Sequence, residues 1–181
     1  MSTPGTENQT TDSFPLHIVL YQPEIPPNTG NIGRSCVALG AKLWIVGPAS
    51  FSLDSKQIRR SGLDYWEDLS WELVDGWDQL ISRLPAARMW LVTKFGQQAH
   101  CEVSYHWGDV LVFGRESSGL PDWLHAQHPN SPMPGPVRCL NLSTAAGIVM
   151  YEAARQIGLL ANVTHHFEAP KDAASITGPA N

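Results

Sequence analysis

Residues 16–36 read LHIVLYQPEIPPNTGNIGRSC, and this stretch decides the fold class. Leu16–Leu20 is apolar at four of its five positions and has the length of a buried strand. A helix is expected after it, over about residues 29–40, with Asn28 as its N-cap because a side-chain oxygen there can accept from the first turn. A buried strand that leads into a helix favours a parallel sheet covered by helices.

The rest of the chain repeats this alternation of apolar strands and helical segments. The order predicts an α/β domain, residues 15–163, with a parallel sheet and helices on both faces. Residues 1–14 and 164–181 are rich in small and polar residues and are expected to be flexible ends. The further predicted strands are Leu43–Val46, Met89–Val92, Val110–Phe113 and Val137–Leu142. The further predicted helices are Ser55–Ser61, Trp77–Leu84 and a long one from its cap Ser143 to about Leu160.

The first predicted helix has two different faces. Ile32, Cys36 and Leu39 form an apolar stripe, and Gly30 and Arg34 lie opposite it, one turn apart. Free N–H groups, the positive end of the helix dipole and a guanidinium together indicate a seat for a phosphate or another polar ligand. The alternative is that the glycines allow close packing and the arginine is a surface charge. Neither GxxxxGK[ST] nor GxGxxG occurs in the chain.

Two other strand ends carry unusual residues, at LVFGRESSGLP (111–121) and VRCLNLSTAAGIVMYE (137–152). Ligands of α/β folds bind where strands end. Gly114 would let a ligand approach the backbone. Glu116 can hold a loop through backbone N–H groups or contact a cationic or hydroxyl group. Asn141 can both donate and accept hydrogen bonds.

Composition limits the function classes. The chain has 181 residues, no run of eighteen apolar residues and three cysteines without CxxC spacing, which predicts one soluble cytoplasmic domain without a membrane span, disulfide framework or metal site. The net charge of −5 does not indicate nucleic-acid binding. Six of the seventeen acidic residues lie in residues 64–78, however, so the rest of the chain has twelve basic and eleven acidic residues. The acidic stretch is otherwise typical of a solvated helix face.

Taken in order, three segments resemble the three motifs of the SPOUT-type RNA ribose 2′-O-methyltransferases. They are NTGNIGR (28–34), LVFGRESSGLP and PMPGPVRCLNLSTAAGIVMYE (132–152). IVLYQPEIPPNTGNIGRSC and IRRSGLDYWE (58–67) are similar to the subgroup that methylates the wobble nucleotide of tRNA. The resemblance covers about Leu16 to Leu160, nearly the whole predicted domain.

The resemblance implies a C-terminal deep trefoil knot, a homodimer, and S-adenosylmethionine bound in the knot. It also implies a tRNA substrate, with a leucine tRNA expected. Cys139 stands where the family usually has Ser, and Ser131 where it usually has Ile. Because a thiol is a poorer hydrogen-bond partner than a hydroxyl, we expect weakened cofactor binding. The implied cofactor contacts are Val92, Thr93, Gly114, Ser131, Cys139 and Leu140.

The resemblance also implies catalytic roles for Arg34, Glu116 and Asn141. A guanidinium stays protonated, so Arg34 is expected to anchor the substrate phosphate and the developing alkoxide. A phosphate oxygen or water would then receive the proton, while Glu116 and Asn141 shape the cofactor loops. The expected RNA contacts are Asn28, Lys56, Arg59, Arg60 and Tyr151, the last also near the dimer seam.

Two other functions stay open at this point. One is the same chemistry on another tRNA nucleotide or on ribosomal RNA, against which the IRRSGLDY segment argues. The other is a cofactor-binding RNA-binding protein without catalysis. Cys139 and the acidic surface favour that second alternative, whereas Arg34 and Asn141 argue against it.

Overall fold

A parallel sheet organises the computed structural model, which describes residues 13–51, 64–96, 98–127, 130–131 and 140–161. Within these residues the sheet has six strands in the order β3-β2-β1-β5-β4-β6, and every neighbouring pair is parallel. The strands are β1 Leu16–Tyr21, β2 Lys42–Val46, β3 Trp71–Val74, β4 Met89–Val92, β5 Asp109–Phe113 and β6 Asn130–Ser131.

The strand order has a switch point between β1 and β5. The chain runs outward from β1 through β2 to β3, and later strands fill the other side with β5 next to β1. In open α/β sheets the crevice at such a point, beyond the carboxyl ends of the strands, is where ligands bind. The helices that flank the sheet are α1 Pro26–Leu39, α2 Trp77–Arg83, α3 Asp122–His125 and α4 Leu142–Gln156, and a 3₁₀ helix spans Asp64–Glu67.

Apolar clusters lie on both faces of the sheet in the described residues. Alternate side chains of a strand point to opposite faces. Ile18 accordingly packs in the cluster that contains residues of α1 and α4, and Val19 in the cluster that contains residues of α2 and α3. The predicted parallel sheet with helices on both faces is confirmed. None of the helices in the described ranges is long and apolar enough to cross a membrane.

The first helix begins earlier than predicted. Strands β1, β2, β4 and β5 match their predicted ranges to within one residue at each end, but α1 starts at Pro26 instead of residue 29. Proline is tolerated in a first turn because its missing N–H would have had no helical partner there. Ile25 occupies the N-cap position, so the prediction of Asn28 as N-cap is wrong.

The last helix is also capped differently from the prediction. Asn141 is its N-cap and accepts hydrogen bonds from the backbone N–H groups of Ser143 and Thr144, so Ser143 is not the cap. The helix ends at Gln156, before Gly158 with φ of 77°. The predicted strand 137–142 is not found at residues 140–142, and its first three residues lie outside the described part of the chain.

The acidic stretch is not one solvated helix face. Residues 64–78 contain the 3₁₀ helix, all of β3 and the start of α2. Glu72 on β3 has ion pairs with Lys42 at 3.2 Å and Arg83 at 3.6 Å. The predicted helix 55–61 lies outside the described residues.

Candidate functional site

The carboxyl ends of three neighbouring strands bring together four of the predicted cofactor residues. Val92, the last residue of β4, is in register with Phe113 of β5 on one side and Ser131 of β6 on the other. Thr93 and Gly114 are the residues that follow Val92 and Phe113. Adjacent strands lie about 4.8 Å apart, so these backbone positions fall within about 10 Å of one another. Leu140 is exposed, whereas Cys139 lies outside the described residues.

Gly114 is buried, and its lack of a side chain has an internal reason. A Cβ there would lie 2.3 Å from the carbonyl carbon of Gly119 and 2.4 Å from the nitrogen of Leu120. The loop turns back tightly because Arg115 N–H donates to the carbonyl of Gly119 at 3.1 Å and Gly119 N–H donates to that of Arg115 at 2.9 Å. The position of a side chain at residue 114 is filled by this loop, so the requirement for glycine there is explained without a ligand.

Glu116 caps α1 from the loop that follows β5. Its Oε2 accepts from the backbone N–H of Glu24 at 2.9 Å, and its Oε1 accepts from that of Ile25 at 3.2 Å. Oε1 also accepts from Asn28 Nδ2 at 3.0 Å. A carboxylate at a helix N-terminus is favoured by the helix dipole. Glu116 was expected either to hold a loop or to contact a cationic or hydroxyl group. The geometry supports the first role, since its carboxylate holds the backbone of Glu24 and Ile25.

Asn28 connects all three motifs inside the protein. Its side chain is only 4% exposed, and its Oδ1 accepts from Asn141 Nδ2 at 3.0 Å while its Nδ2 donates to Glu116. Asn141 Oδ1 in turn accepts from Ser143 N–H at 2.9 Å, at the start of α4. Both functional atoms of the Asn28 amide are therefore used within the chain. The expected direct contact of Asn28 with RNA is corrected to a positioning role.

Glu24, Asn28, Glu116 and Asn141 together form a clamp of hydrogen bonds that joins the three motifs. Glu24 was not identified from the sequence as part of it. Its carboxylate accepts from Ser117 N–H at 2.9 Å and from Ser117 Oγ at 2.8 Å. The backbone hydrogen bond from Ser117, then the side-chain one, lower the pKa of Glu24, with a smaller contribution from the charge of Arg115. Glu24 and the loop of Glu116 thus hold each other reciprocally. The only signal in the sequence is the position of Glu24 just before the two prolines.

The start of α1 does not offer the free N–H groups that were expected for an anion. Pro26 and Pro27 have none, and the N–H groups of Asn28 and Thr29 both donate to the carbonyl of Ile25, at 3.0 and 3.4 Å. The two N–H groups that precede the prolines donate to Glu116. The phosphate seat predicted on this helix end is therefore wrong in its backbone part.

Arg34 lies on the exposed side of α1, as predicted, but Gly30 is buried instead of facing a ligand. Tyr151 is 45% exposed on α4, which packs against α1. Lys56, Arg59 and Arg60 lie outside the described residues. Among the described residues, no three His, Cys, Asp or Glu side chains are grouped as metal ligands.

Comparison with known proteins identifies the family. The profile of the SpoU rRNA Methylase family matches residues 15–151. The chain belongs to this family. The motif resemblance is thereby confirmed, and the clamp described above joins segments that all lie within the SpoU match.

Relatives within the SpoU family are similar over most of their length. The "tRNA (cytidine(34)-2'-O)-methyltransferase" of Escherichia coli (strain K12) is 44% identical over 148 residues, which cover 79% of this chain and 94% of that protein. The protein of the same name from Methylovorus glucosotrophus (strain SIP3-4) is 44% identical over 144 residues, 77% of this chain and 94% of that protein.

Solved structures agree with this fold. One described as "Structural insights into the 2-OH methylation of C/U34 on tRNA" superposes with a TM-score of 0.75 at 44% identity, over 78% of this chain and 95% of that one. The SpoU methyltransferase AviRb from Streptomyces viridochromogenes, in complex with the cofactor AdoMet, gives a TM-score of 0.69 at 26% identity, over 80% of this chain and 61% of that one.

Proposed function

We propose that this protein transfers a methyl group from S-adenosylmethionine to the ribose 2′-hydroxyl of nucleotide 34, cytidine or uridine, in the tRNA anticodon. The observation that carries the proposal is the 44% identity, over 94% of their length, to relatives whose names specify that nucleotide. A leucine tRNA is the expected substrate. The segment IRRSGLDYWE (58–67), which is similar to the wobble subgroup, supports tRNA over ribosomal RNA.

The carboxyl ends of β5, β4 and β6 lie side by side next to half-buried Val92 and Thr93, and such an edge of an α/β sheet is where ligands bind. We assign the cofactor to Val92, Thr93, Gly114, Ser131, Cys139 and Leu140. When bound, the cofactor supplies a methyl group activated by a positively charged sulfur. The protein has to hold the ribose hydroxyl in line with that methyl group, and alignment of this kind lowers a barrier substantially.

Arg34 is the residue to which we assign substrate activation. Its guanidinium keeps its protons, so it binds the substrate phosphate and the developing alkoxide and does not act as a base. The hydroxyl proton passes to a phosphate oxygen or to water. Glu116, Asn28 and Asn141 act as positioning residues, because their hydrogen bonds fix the start of α1, which carries Arg34, against the loop after β5 and the start of α4.

Substrate binding and assembly complete the proposal. Lys56, Arg59 and Arg60 would contact RNA phosphates, and Tyr151 would lie at the seam of a homodimer close to the RNA. We also propose that the C-terminal part of domain 15–163 threads the deep trefoil knot that the family resemblance implies. The proposed enzyme would act in the cytoplasm.

Methyl transfer to defined tRNA transcripts tests the activity. Wild-type protein with labelled S-adenosylmethionine should place one 2′-O-methyl group at nucleotide 34 of a leucine tRNA, read by mass-spectrometric mapping. Modification of another nucleotide or of ribosomal RNA would support the second substrate class. Cofactor binding by calorimetry without any methyl transfer would support a non-catalytic protein.

Variants test the assigned residues. Arg34→Lys should lose most activity and keep the wild-type affinity for the cofactor, and wild-type rates in it would remove Arg34 from the mechanism. Neutralising Lys56, Arg59 and Arg60 together should flatten the salt dependence of tRNA binding, because each lost phosphate contact lowers the slope by about 0.7–0.9. An unchanged slope would contradict the basic patch.

A further inference from the structure

Phe95 is an exposed aromatic ring that the proposed mechanism does not use. It is 62% exposed, the highest value among the large apolar residues of the described chain. Lys94 Nζ lies 4.9 Å from the centroid of its ring. The ring of His125 meets it edge to face, with centroids 5.6 Å apart and planes at 90°. A cation and a second ring therefore accompany an aromatic side chain that stays largely in solvent.

The position of this ring relates it to the proposed site. Phe95 follows β4 by three residues, so it lies at the carboxyl edge of the sheet, with Thr93 Oγ accepting from its backbone N–H at 3.3 Å. The order β1-β5-β4 places β4 two strands from β1, which leads into the helix of Arg34. At about 4.8 Å per strand, the two strand ends are about 10 Å apart. The loop of Phe95 and the start of the helix that carries Arg34 therefore lie at the same edge of the sheet.

The chemistry of the cluster points to a nucleic-acid base. Proteins bind unpaired RNA by stacking bases on aromatic rings and by pairing phosphates with cations. The contact with His125 restricts the orientation of the ring, and Lys94 supplies a flexible positive charge beside it. The adenine of the cofactor is a second flat base, but the cofactor has no phosphate and a net positive charge, so a lysine gains less from it than from an RNA backbone.

We propose that Phe95 is a stacking platform for an unpaired base of the tRNA anticodon loop, with Lys94 contacting an adjacent phosphate. The inference rests on the proposed function for the identity of the RNA. It gives the loop after β4 a second task, since Val92 and Thr93 are assigned to the cofactor. It also places an RNA contact on an overall acidic chain whose net charge of −5 gives no indication of one.

Equilibrium binding of an anticodon stem-loop RNA, measured by fluorescence anisotropy without cofactor, tests the platform. Phe95→Ala should weaken binding about 5- to 150-fold, the range measured when one stacking aromatic is removed. Phe95→Trp should bind like the wild type. Phe95→Leu should bind like Phe95→Ala, because it keeps apolar volume and loses the ring. Lys94→Gln should lower the salt slope by about one unit.

A matched control is Trp107, another exposed ring, which is 53% exposed and precedes β5 at the opposite edge of the sheet. Trp107→Ala should bind the RNA normally. Wild-type binding by Phe95→Ala, wild-type binding by Phe95→Leu, or a loss of cofactor affinity instead of RNA affinity would each overturn the platform. Thermal unfolding separates misfolded variants from binding defects. Because binding is read without methyl transfer, a wild-type protein that binds RNA through Phe95 and methylates nothing would refute only the proposed function.

Discussion

Removing the carboxylate of Glu116 is expected to destabilise the protein and to loosen its site together. Glu116→Ala leaves three donors without their acceptor, namely the N–H groups of Glu24 and Ile25 and the side-chain amide of Asn28. A hydrogen bond to a charged group contributes about 1.5–3 kcal/mol, and loss of a helix cap costs about 0.5–2 kcal/mol. Since the hydrogen bonds from Glu24 and Asn28 are only partly buried and the one from Ile25 is exposed, we expect a loss of about 2–3 kcal/mol in the free energy of unfolding.

Thermal unfolding followed by circular dichroism measures this loss. In a chain of this size 1 kcal/mol shifts the Tm by about 2–4 °C, so Glu116→Ala should melt about 4–12 °C lower. Glu116→Gln should fall between wild type and Glu116→Ala, because its oxygen can still accept and its NH₂ group faces a donor. The control is Asp68→Ala, which removes an exposed carboxylate outside the clamp. It should change the free energy of unfolding by less than about 0.5 kcal/mol.

The clamp also predicts a coupled effect on function. Glu116→Ala should lower both the cofactor affinity and the methylation rate, since the loop after β5 and the start of α1 lose three of the hydrogen bonds that join them. If Glu116→Ala melted within 1 °C of the wild type, the capping role would be refuted. If it melted lower but kept wild-type cofactor affinity and rate, the connection between clamp and site would be refuted.

Three further predictions follow from single residues. Gly114→Ala should misplace its loop and lower the Tm, measured by calorimetry, because the added Cβ would sit 2.3 Å from backbone; an unshifted Tm would contradict the packing. The hydrogen bond from Arg155 lowers the pKa of Glu152 to about 2. The stabilisation of the folded protein by this carboxylate is therefore complete above the unfolded pKa of 4.5 and should fade as the pH drops toward about 2. Arg155→Gln should raise the pKa of Glu152 in an NMR titration, and an unmoved pKa would refute the pairing. Burial raises the pKa of the Cys36 thiol, so peptide mapping after brief alkylation should find Cys101 labelled and Cys36 protected, and equal labelling would contradict the burial.

The strands that sequence predicted well are those buried in the sheet. β1, β2, β4 and β5 read as apolar runs because side chains on both of their faces are covered. β3 was missed because it is an edge strand whose WELV sequence includes the ion-paired Glu72 and a half-exposed leucine. β6 has only two residues, which is too short for any periodic pattern to indicate.

The roles of individual site residues were harder to predict, because they depend on contacts between distant segments. The motifs singled out Glu116, Asn28 and Asn141, which the structure joins by hydrogen bonds, but local capping rules assigned Asn28 to the wrong task. The acceptor that serves this helix start lies 88 residues further along the chain. A local rule considers only side chains within a few positions of the helix start. It could therefore indicate that a cap is needed there, but it could not identify Glu116 as the residue that supplies it.

The hydrogen bonds at the start of α1 also bear on how an anion can be recognised there. Pro26 and Pro27 have no N–H, the N–H groups of Asn28 and Thr29 donate to the carbonyl of Ile25, and those of Glu24 and Ile25 donate to Glu116. Among its described residues, this helix end therefore presents no unused N–H to a phosphate. The carboxylates of Glu116 and Glu24 lie at the same place and would repel a second anion. Recognition of an RNA phosphate near α1 therefore has to come from a side chain beyond the first turn. Arg34, which is exposed about two turns after the start of α1, is the cation that this helix offers for it.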